Sequence, residues 1–332
     1  MEIRTGFPFR GKALDEIRDF LDQNGLKYDE GIHFSLCFVE DKRIIASGSL
    51  DGNVLKCIAV SGDYQEMGLT AQIVSGLVNE AARSGIFHLF LFTKPENESI
   101  FGSLGFYTIA ATSESLLMEN KKNGIKHFVN SLYTIPVNKT QGLTGAIVMN
   151  CNPFTKGHQY LIETAAQQCA LLHIFVVSED RSAFPPDVRY RLVKDGISFL
   201  SHVRVHQTGP YLVSAASFPE YFLKDSISPQ AINAQLDLTI FAEHFAPALG
   251  IQCRFVGTEP SDPVTAAYNR QMQEFLPRHG IKVREIERIL IHGTPVSASR
   301  VRQLIAESRL EEVRDLVPAS TYQYLCSIGK KS

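Results

Sequence analysis

No uninterrupted apolar stretch in this 332-residue sequence approaches the roughly 20 residues that a membrane-spanning helix needs. The opening Met1-Glu2-Ile3-Arg4-Thr5-Gly6 lacks a basic run leading into an apolar one and lacks a small-residue cleavage pattern, so no secretory leader is expected. Six cysteines (Cys37, Cys57, Cys151, Cys169, Cys253 and Cys326) are scattered without metal-ligand spacing and without a Cys-x-x-Cys pair. Most sit in apolar runs, where a thiol behaves as a small hydrophobe, and the expectation is reduced thiols in a cytoplasmic protein. Charge of one sign is also missing: 33 Lys and Arg against 35 Asp and Glu leave a formal charge of −2. That balance gives no global attraction to nucleic acid or an anionic membrane, and neither is expected as a partner. Repeats and low-complexity segments are absent as well.

What is present fits two domains, each long enough to bury a core, with ordinary globular fractions of 44% hydrophobic and 20% charged residues. The first part reads as mixed α+β. Apolar, β-rich runs at 35–40 and 44–50 flank Asp41-Lys42-Arg43, a hairpin signal, and a turn at Asp51-Gly52-Asn53 leads into 54–60. Ile73, Leu77 and Ala81 recur at helical spacing between Gly68 and Arg83, and Gly85 stops the helix. Strands are predicted at 88–92, 106–110 and 115–118, with a short helix over 96–104. A polar stretch, Glu119 to Gly124, interrupts the pattern. The boundary is placed near residue 138, giving domains 1–138 and 139–332.

The second part alternates strand and helix. Strands are predicted at 145–150, 173–178, 203–207, 252–257 and 282–286, and helices at 157–169, 187–199, 229–245 and 264–275. Apolar strands separated by helices imply a parallel sheet covered on both faces, with right-handed crossovers. The first of these strands, Gly145 to Asn150, is apolar until its end, which places it centrally. Ligands in such sheets bind beyond the carboxyl ends of the strands, where Asn152-Pro153-Phe154-Thr155-Lys156-Gly157-His158 follows. Pro153 fixes a torsion, Thr155 can cap the next helix, Gly157 permits close backbone approach and His158 opens the helix. Free N–H groups and the positive end of the helix then face an anion, and a histidine there can donate to an oxygen that gains charge.

These residues resemble the signature of the nucleotidyltransferase superfamily, His/Thr-x-Gly-His after the first strand of a Rossmann-like fold. Thr155 and His158 match its two ends. A second element of that superfamily, Ile-Ser-Ser-Thr-x-x-Arg at a helix start, resembles Val296-Ser297-Ala298-Ser299-Arg300-Val301-Arg302, with Ala298 and Ser299 departing from it. The resemblance implies ATP as co-substrate, Thr155 and His158 as catalytic residues, and Met149, Asn150, Asn152, Phe154, Gly157, Gly257, Glu259, Ser297, Ser299 and Arg302 around the nucleotide. Glu179, Asp180 and Glu259, at strand ends, read equally as magnesium ligands and as helix caps. No metal-ligand set stands out, and Mg2+ is expected only as the companion of ATP. Arg181, Arg189 and Arg191 read as surface ion pairs before they read as phosphate or acetate contacts. Tyr268 and Asn269 could frame the nucleotide, and Cys151, with no histidine–carboxylate pair beside it, reads as packing.

In the first domain, Cys57-Ile58-Ala59-Val60 followed by Gln65-Glu66-Met67-Gly68-Leu69-Thr70 and a helix resembles the pyrophosphate-binding turn of the GNAT acetyltransferase fold. Gln65 and Gly68 match that motif and Thr70 departs from it. Leu104-Gly105-Phe106 resembles a later GNAT segment. The implied contacts to a CoA-like group are Val60, Gln65, Gly68 and Thr70, and no residue stands out as a general base. The expected fold class is therefore α/β, a GNAT-like α+β domain followed by a Rossmann-like parallel-sheet nucleotidyltransferase domain.

The two halves in this order, with the run Gly257 to Met272, are similar to the citrate lyase ligase family. That resemblance implies an AMP-forming acid–thiol ligase, which activates acetate with ATP. It then acetylates the CoA-like prosthetic group of the citrate lyase acyl carrier protein (gamma subunit), with no tightly bound prosthetic group of its own. Two other readings stand beside it. One is a nucleotidyltransferase joining AMP to a phosphorylated small molecule such as phosphopantetheine, and the other is a non-catalytic sensor of CoA or nucleotide.

Overall fold

The computed structural model describes residues 1–132, 142–178, 182–212, 229–259 and 262–329. Two compact units emerge: Met1–Lys126 with Ala216–Thr239, and His127–Ala215 with Ile240–Ser332. The boundary expected near residue 138 lies outside the described residues.

The first unit holds β1 (Glu2–Gly6), α1 (Lys12–Gln23), β2 (Phe34–Glu40), β3 (Arg43–Asp51), β4 (Val54–Val60), α2 (Leu69–Arg83), β5 (Phe90–Thr93), α3 (Glu98–Ser103), β6 (Tyr107–Ala111) and β7 (Leu116–Glu119). Its sheet runs β1-β2-β3-β4-β5-β7-β6. Every neighbouring pair is antiparallel except β4 and β5, which are parallel and paired only at Val54–Phe90 and Leu55–Leu91. Beyond those two pairs β4 continues to Val60 and β5 to Thr93 without pairing to each other, so the two strands part toward their carboxyl ends. This is the GNAT-like α+β arrangement expected for the first half.

Packing explains the central helix. Leu69, Ile73, Leu77 and Ala81 of α2 form one buried stripe against Leu36, Phe38, Leu50 and Leu55 of the sheet. Close approach depends on Gly48 in β3, where an added Cβ would stand 2.3 Å from Ile73 Cγ2. Two elements carried too little signal to be predicted. β1 is an exposed edge strand with a charged residue at Glu2 and at Arg4, and α1 buries only Ile17, Phe20 and Leu21 among its many charges.

In chain order α4 (Gly124–Ser131) follows β7. The second unit continues with β8 (Thr144–Met149), α5 (Lys156–Ala166), β9 (Leu171–Val176), α6 (Pro186–Gly196) and β10 (Val203–Gln207). After α7 (Pro229–Ile240), assigned mostly to the first unit, come a π-helical turn (Phe241–Phe245), α8 (Ala246–Leu249), β11 (Cys253–Gly257), α9 (Pro263–Phe275) and β12 (Lys282–Ile286). A two-stranded hairpin, β13 (Leu290–Ile291) and β14 (Thr294–Pro295), leads into α10 (Ala298–Ala306), α11 (Leu310–Val313) and α12 (Ala319–Gly329). The sheet order is β10-β9-β8-β11-β12, parallel throughout. Succession runs outward from β8 in one direction and then jumps back to β11, so the topological switch point lies between β8 and β11, as the Rossmann-like expectation requires.

One face of this sheet packs Ile147, Met149, Ile174, Val176 and Phe255 against Ile162 of α5, Leu192 and Val193 of α6, and Val301 and Leu304 of α10. The other face carries polar groups. The Arg254 guanidinium lies 4.3 Å from the centre of the Phe241 ring. His173 and His206 share one hydrogen bond, Nδ1 to Nε2, at 2.9 Å. Both histidines are buried. Burial first, and then the neighbouring histidine and Arg204, push His173 down to about 3, while burial and Arg204 push His206 down to about 4. Among the described residues no helix is long and apolar enough to cross a membrane.

Two outcomes follow. Gly48→Ala should destabilise the protein by about 1–3 kcal/mol, read as a lower urea midpoint, because α2 must move off β3. Acid should also destabilise it. Between pH 6.5 and about 4 the unfolded chain takes up protons that folded His173 and His206 refuse, so stability falls as pH drops through that window, by up to about 1.4 kcal/mol per pH unit for each histidine. Urea titrations at pH 7 and pH 5 check this, and His206→Phe should flatten the difference.

Candidate active site

The loop after β8 is held from several sides. Thr155 is the N-cap of α5 in extended backbone, and its Oγ1 accepts from the His158 N–H at 3.3 Å. In return His158 Nδ1 accepts from the Thr155 N–H at 3.1 Å. This is a reciprocal capping box in which histidine takes the place usually held by Glu or Gln. A ring nitrogen that accepts a backbone N–H cannot itself carry the proton, so the neutral imidazole is protonated at Nε2 and presents a donor there. Burial, and then the nearby Arg288 charge, push His158 down to about 4, so at neutral pH the ring is uncharged. Of the other leading helix amides, the Lys156 N–H donates to Leu316 O at 2.9 Å, and that of Gly157 has no partner among the described residues.

The segment from the far end of the domain reaches this loop. Ser297 caps α10 by accepting from the Arg300 N–H at 3.2 Å. Arg302 donates through Nη1 to Asn152 O at 2.6 Å and through Nη2 to Ser299 Oγ at 3.0 Å. Gly157 lies directly under the same segment, since a Cβ on it would stand 3.1 Å from Val296 O. The two helix starts therefore meet at the carboxyl end of β8, and the hydroxyls of Thr155, Ser297 and Ser299 serve the loop geometry from within.

Behind the loop stands Arg189, fully buried where its sequence context suggests a surface residue. Its guanidinium donates to Phe184 O at 2.9 Å, Asn150 O at 3.0 Å and Val177 O at 2.7 Å, and also to Asn150 Oδ1. It ties the carboxyl end of β8 to the chain beyond β9. Asn152 Oδ1 accepts from the Phe184 N–H at 3.0 Å, while Met149, Cys151 and Phe154 are buried in the core. Burial raises the Cys151 thiol, consistent with packing. Arg191 lies 5.8 Å over the Tyr324 ring. Glu179, Asp180 and Arg181 lie outside the described residues.

At the ends of β11 and β12, Asn269 donates to Gly257 O at 3.0 Å and is buried, so it fixes the loop from beneath. Glu259 makes an ion pair with Arg288. Arg288 was not singled out from sequence: Glu287-Arg288 looks like any charged pair after a strand, and only the fold brings it toward His158.

In the first unit the parting of β4 and β5 opens a cavity of about 510 Å3, lined in part by Val60, Gln65, Thr70, Thr93, Lys94 and Asn97. Gly68 caps α2 in the left-handed region, φ 67°, which a glycine adopts without strain. Three of the four predicted residues thus line one cavity, with Gly68 at the helix start beside it. Lys94 and Asn97 were missed, because neither lies in the motif.

A parallel sheet whose switch-point loop is capped by Thr155 and His158 and closed by a second capped helix defines a Rossmann-like α/β domain. Residues 144–325 match the Citrate lyase ligase C-terminal domain. The citrate (pro-3S)-lyase ligase of Escherichia coli (strain K12) is 41% identical over 329 residues, covering 97% of this chain and 92% of its own length. Its counterpart in Klebsiella pneumoniae is 40% identical over 328 residues, with 97% and 94% covered. That of Haemophilus influenzae is 40% identical over 328 residues, with 96% and 97% covered. The chain belongs to the citrate lyase ligase family.

Arg189→Met should cost at least about 3 kcal/mol in a urea titration, because three or more buried carbonyl oxygens lose a charged donor together.

Proposed function

We propose that the chain is a cytoplasmic, AMP- and pyrophosphate-forming acid–thiol ligase that acts on citrate lyase. It activates acetate with ATP and acetylates the thiol of the CoA-like prosthetic group on the lyase's acyl carrier (gamma) subunit. Residues 1–138 act as a GNAT-like domain and 139–332 as the nucleotidyltransferase domain. The observation that carries the reading is the meeting of two helix N-termini at the carboxyl end of β8, joined by Arg302 on Asn152 O and by Gly157 under Val296 O. Two converging helix starts with a nearby guanidinium suit a triphosphate.

The chemistry then runs in two steps. An acetate oxygen bonds to the α-phosphorus while the bond to the bridging oxygen of pyrophosphate breaks, and pyrophosphate leaves. Its growing charge meets the His158 Nε2–H and the α5 and α10 amides, which are set in place before reaction. Because His158 is neutral and its tautomer is held by Thr155, it acts as a donor over the whole range above about pH 4. The carrier thiolate next attacks the acetyl carbon, AMP leaves, and the thioester is formed. For the thiol-bearing arm, the cavity between β4 and β5 supplies the length, with Val60, Gln65 and Thr70 along it and the α2 start at Gly68 to receive phosphate.

Mg2+ is the expected companion of ATP. Among the described residues no group of three or more His, Cys, Asp or Glu side chains forms a site for it, and Glu259 is engaged with Arg288. An ion here would be held chiefly by the phosphates, as is usual for magnesium.

Val60→Trp tests the division of labour. In the full chain it should spare acetate-dependent ATP–pyrophosphate exchange within about twofold and lower acetylation of the carrier thiol more than tenfold. A dinucleotide product instead of acetate-dependent AMP would favour AMP transfer to a phosphorylated acceptor. Loss of both activities in a folded variant would count against the two-site reading.

A further inference from the structure

The Glu259–Arg288 pair belongs to none of the sequence elements that define the phosphate loop, yet it stands at the same switch point. Glu259 lies just past the end of β11, and Arg288 just past the end of β12. Three contacts lock Arg288 to the β11 loop. Its backbone N–H donates to Thr258 Oγ1 at 3.2 Å, its Nε donates to Thr258 O at 2.7 Å, and its Nη2 donates to the Glu259 carboxylate. The loop is itself fixed, by the Thr258 N–H on Ile286 O at 2.9 Å and by Asn269 on Gly257 O at 3.0 Å. The Glu259 side chain is only 7% exposed, whereas that of Arg288 is 29% exposed. The Asp262 N–H holds the other Glu259 oxygen, Oε1, at 3.2 Å.

One edge of the guanidinium is therefore used up on the protein. Its Nη1 makes no hydrogen bond among the described residues, and its charge is close enough to disfavour a proton on the His158 ring. A cation and a neutral histidine donor at the same end of the sheet both suit an anionic ligand, the one by its charge and the other by its N–H. Fixing one edge of an arginine while leaving the other open also removes most of the entropic cost of placing the charge.

We propose that Arg288 is a catalytic residue that binds an oxygen of the ATP triphosphate opposite His158, and that Glu259 is a positioning residue that aims it rather than a magnesium ligand. The inference rests on the reading of this unit as an ATP site. It assigns to Glu259 a role through Arg288, so the two residues form one device. Asn269 supports that device from below.

The test uses the full-length chain and a non-hydrolysable ATP analogue with a methylene group between the α- and β-phosphorus atoms. Its binding is measured by calorimetry with and without MgCl2, alongside acetate-dependent ATP–pyrophosphate exchange. Wild type should bind the analogue, and if it does not, the ATP-site reading fails first. Given binding, Arg288→Gln should weaken it at least about tenfold and lower exchange by about a hundredfold or more. Arg288→Lys, which keeps the charge, should recover part of the binding and less of the exchange. Glu259→Gln should lower exchange by about tenfold while the MgCl2 concentration giving half-maximal exchange stays where it is in wild type. Thermal midpoints within a few degrees of wild type identify the variants that are folded, and Arg288→Lys keeps the comparison open if Arg288→Gln is not. Undiminished binding and exchange in folded Arg288→Gln would overturn the proposal. So would a Glu259→Gln variant whose exchange is restored by raised MgCl2, since that marks Glu259 as a metal ligand.

Discussion

The reciprocal pair of hydrogen bonds between Thr155 and His158 is the constraint on which the candidate site turns. One bond fixes the start of α5, and the other fixes which nitrogen of the imidazole carries the proton. A conventional capping box would make the second bond with the side chain of Glu or Gln, and a carboxylate at this position would repel an anion. Histidine makes it without adding negative charge, and leaves a neutral donor at the helix start as a consequence of its capping role. Stability of the helix and chemistry of the site are thus the same pair of contacts, seen from two sides.

Everything around that pair holds it in place. Arg189 collects carbonyls behind the loop, Arg302 collects one in front, and the absence of a side chain at Gly157 lets the second helix start come down onto the first. Each of these arginines holds backbone carbonyls of the loop. Arg288 is different: it is anchored by one edge and open at the other. That contrast, rather than the number of cations near the loop, separates a ligand contact from a clamp.

Much of this was legible in the sequence. The five parallel strands and the four helices among them follow from apolar runs broken by amphipathic segments, because such runs have few other ways to bury both faces. The capping role of Thr155 and the opening of a helix near His158 follow from local rules at a strand–helix turn. What was not legible depends on distant pairing. Arg189 looked like a surface residue because its helix is rich in charge, and nothing local says that it faces three carbonyls. Arg288 reads as an ordinary charge until β12 is set beside β11. β1 was missed because an exposed edge strand needs no apolar alternation, and α1 because most of its length faces solvent. The cavity between β4 and β5 comes from where pairing stops, a property of two strands together and of neither alone.

The bond from Arg302 to Asn152 O spans 150 positions of sequence. A contact of that range forms late, since the chain must close a long loop before the bond returns anything. During synthesis, the strand, the turn and the capped helix around His158 would all emerge well before the residue that completes their surroundings. A chain released or truncated short of α10 would hold a formed helix start without its facing partner. Completion of the loop's surroundings would therefore report on assembly of the carboxyl-terminal part of the domain, and the region most exposed to error in assembly would be that late segment rather than the loop it joins.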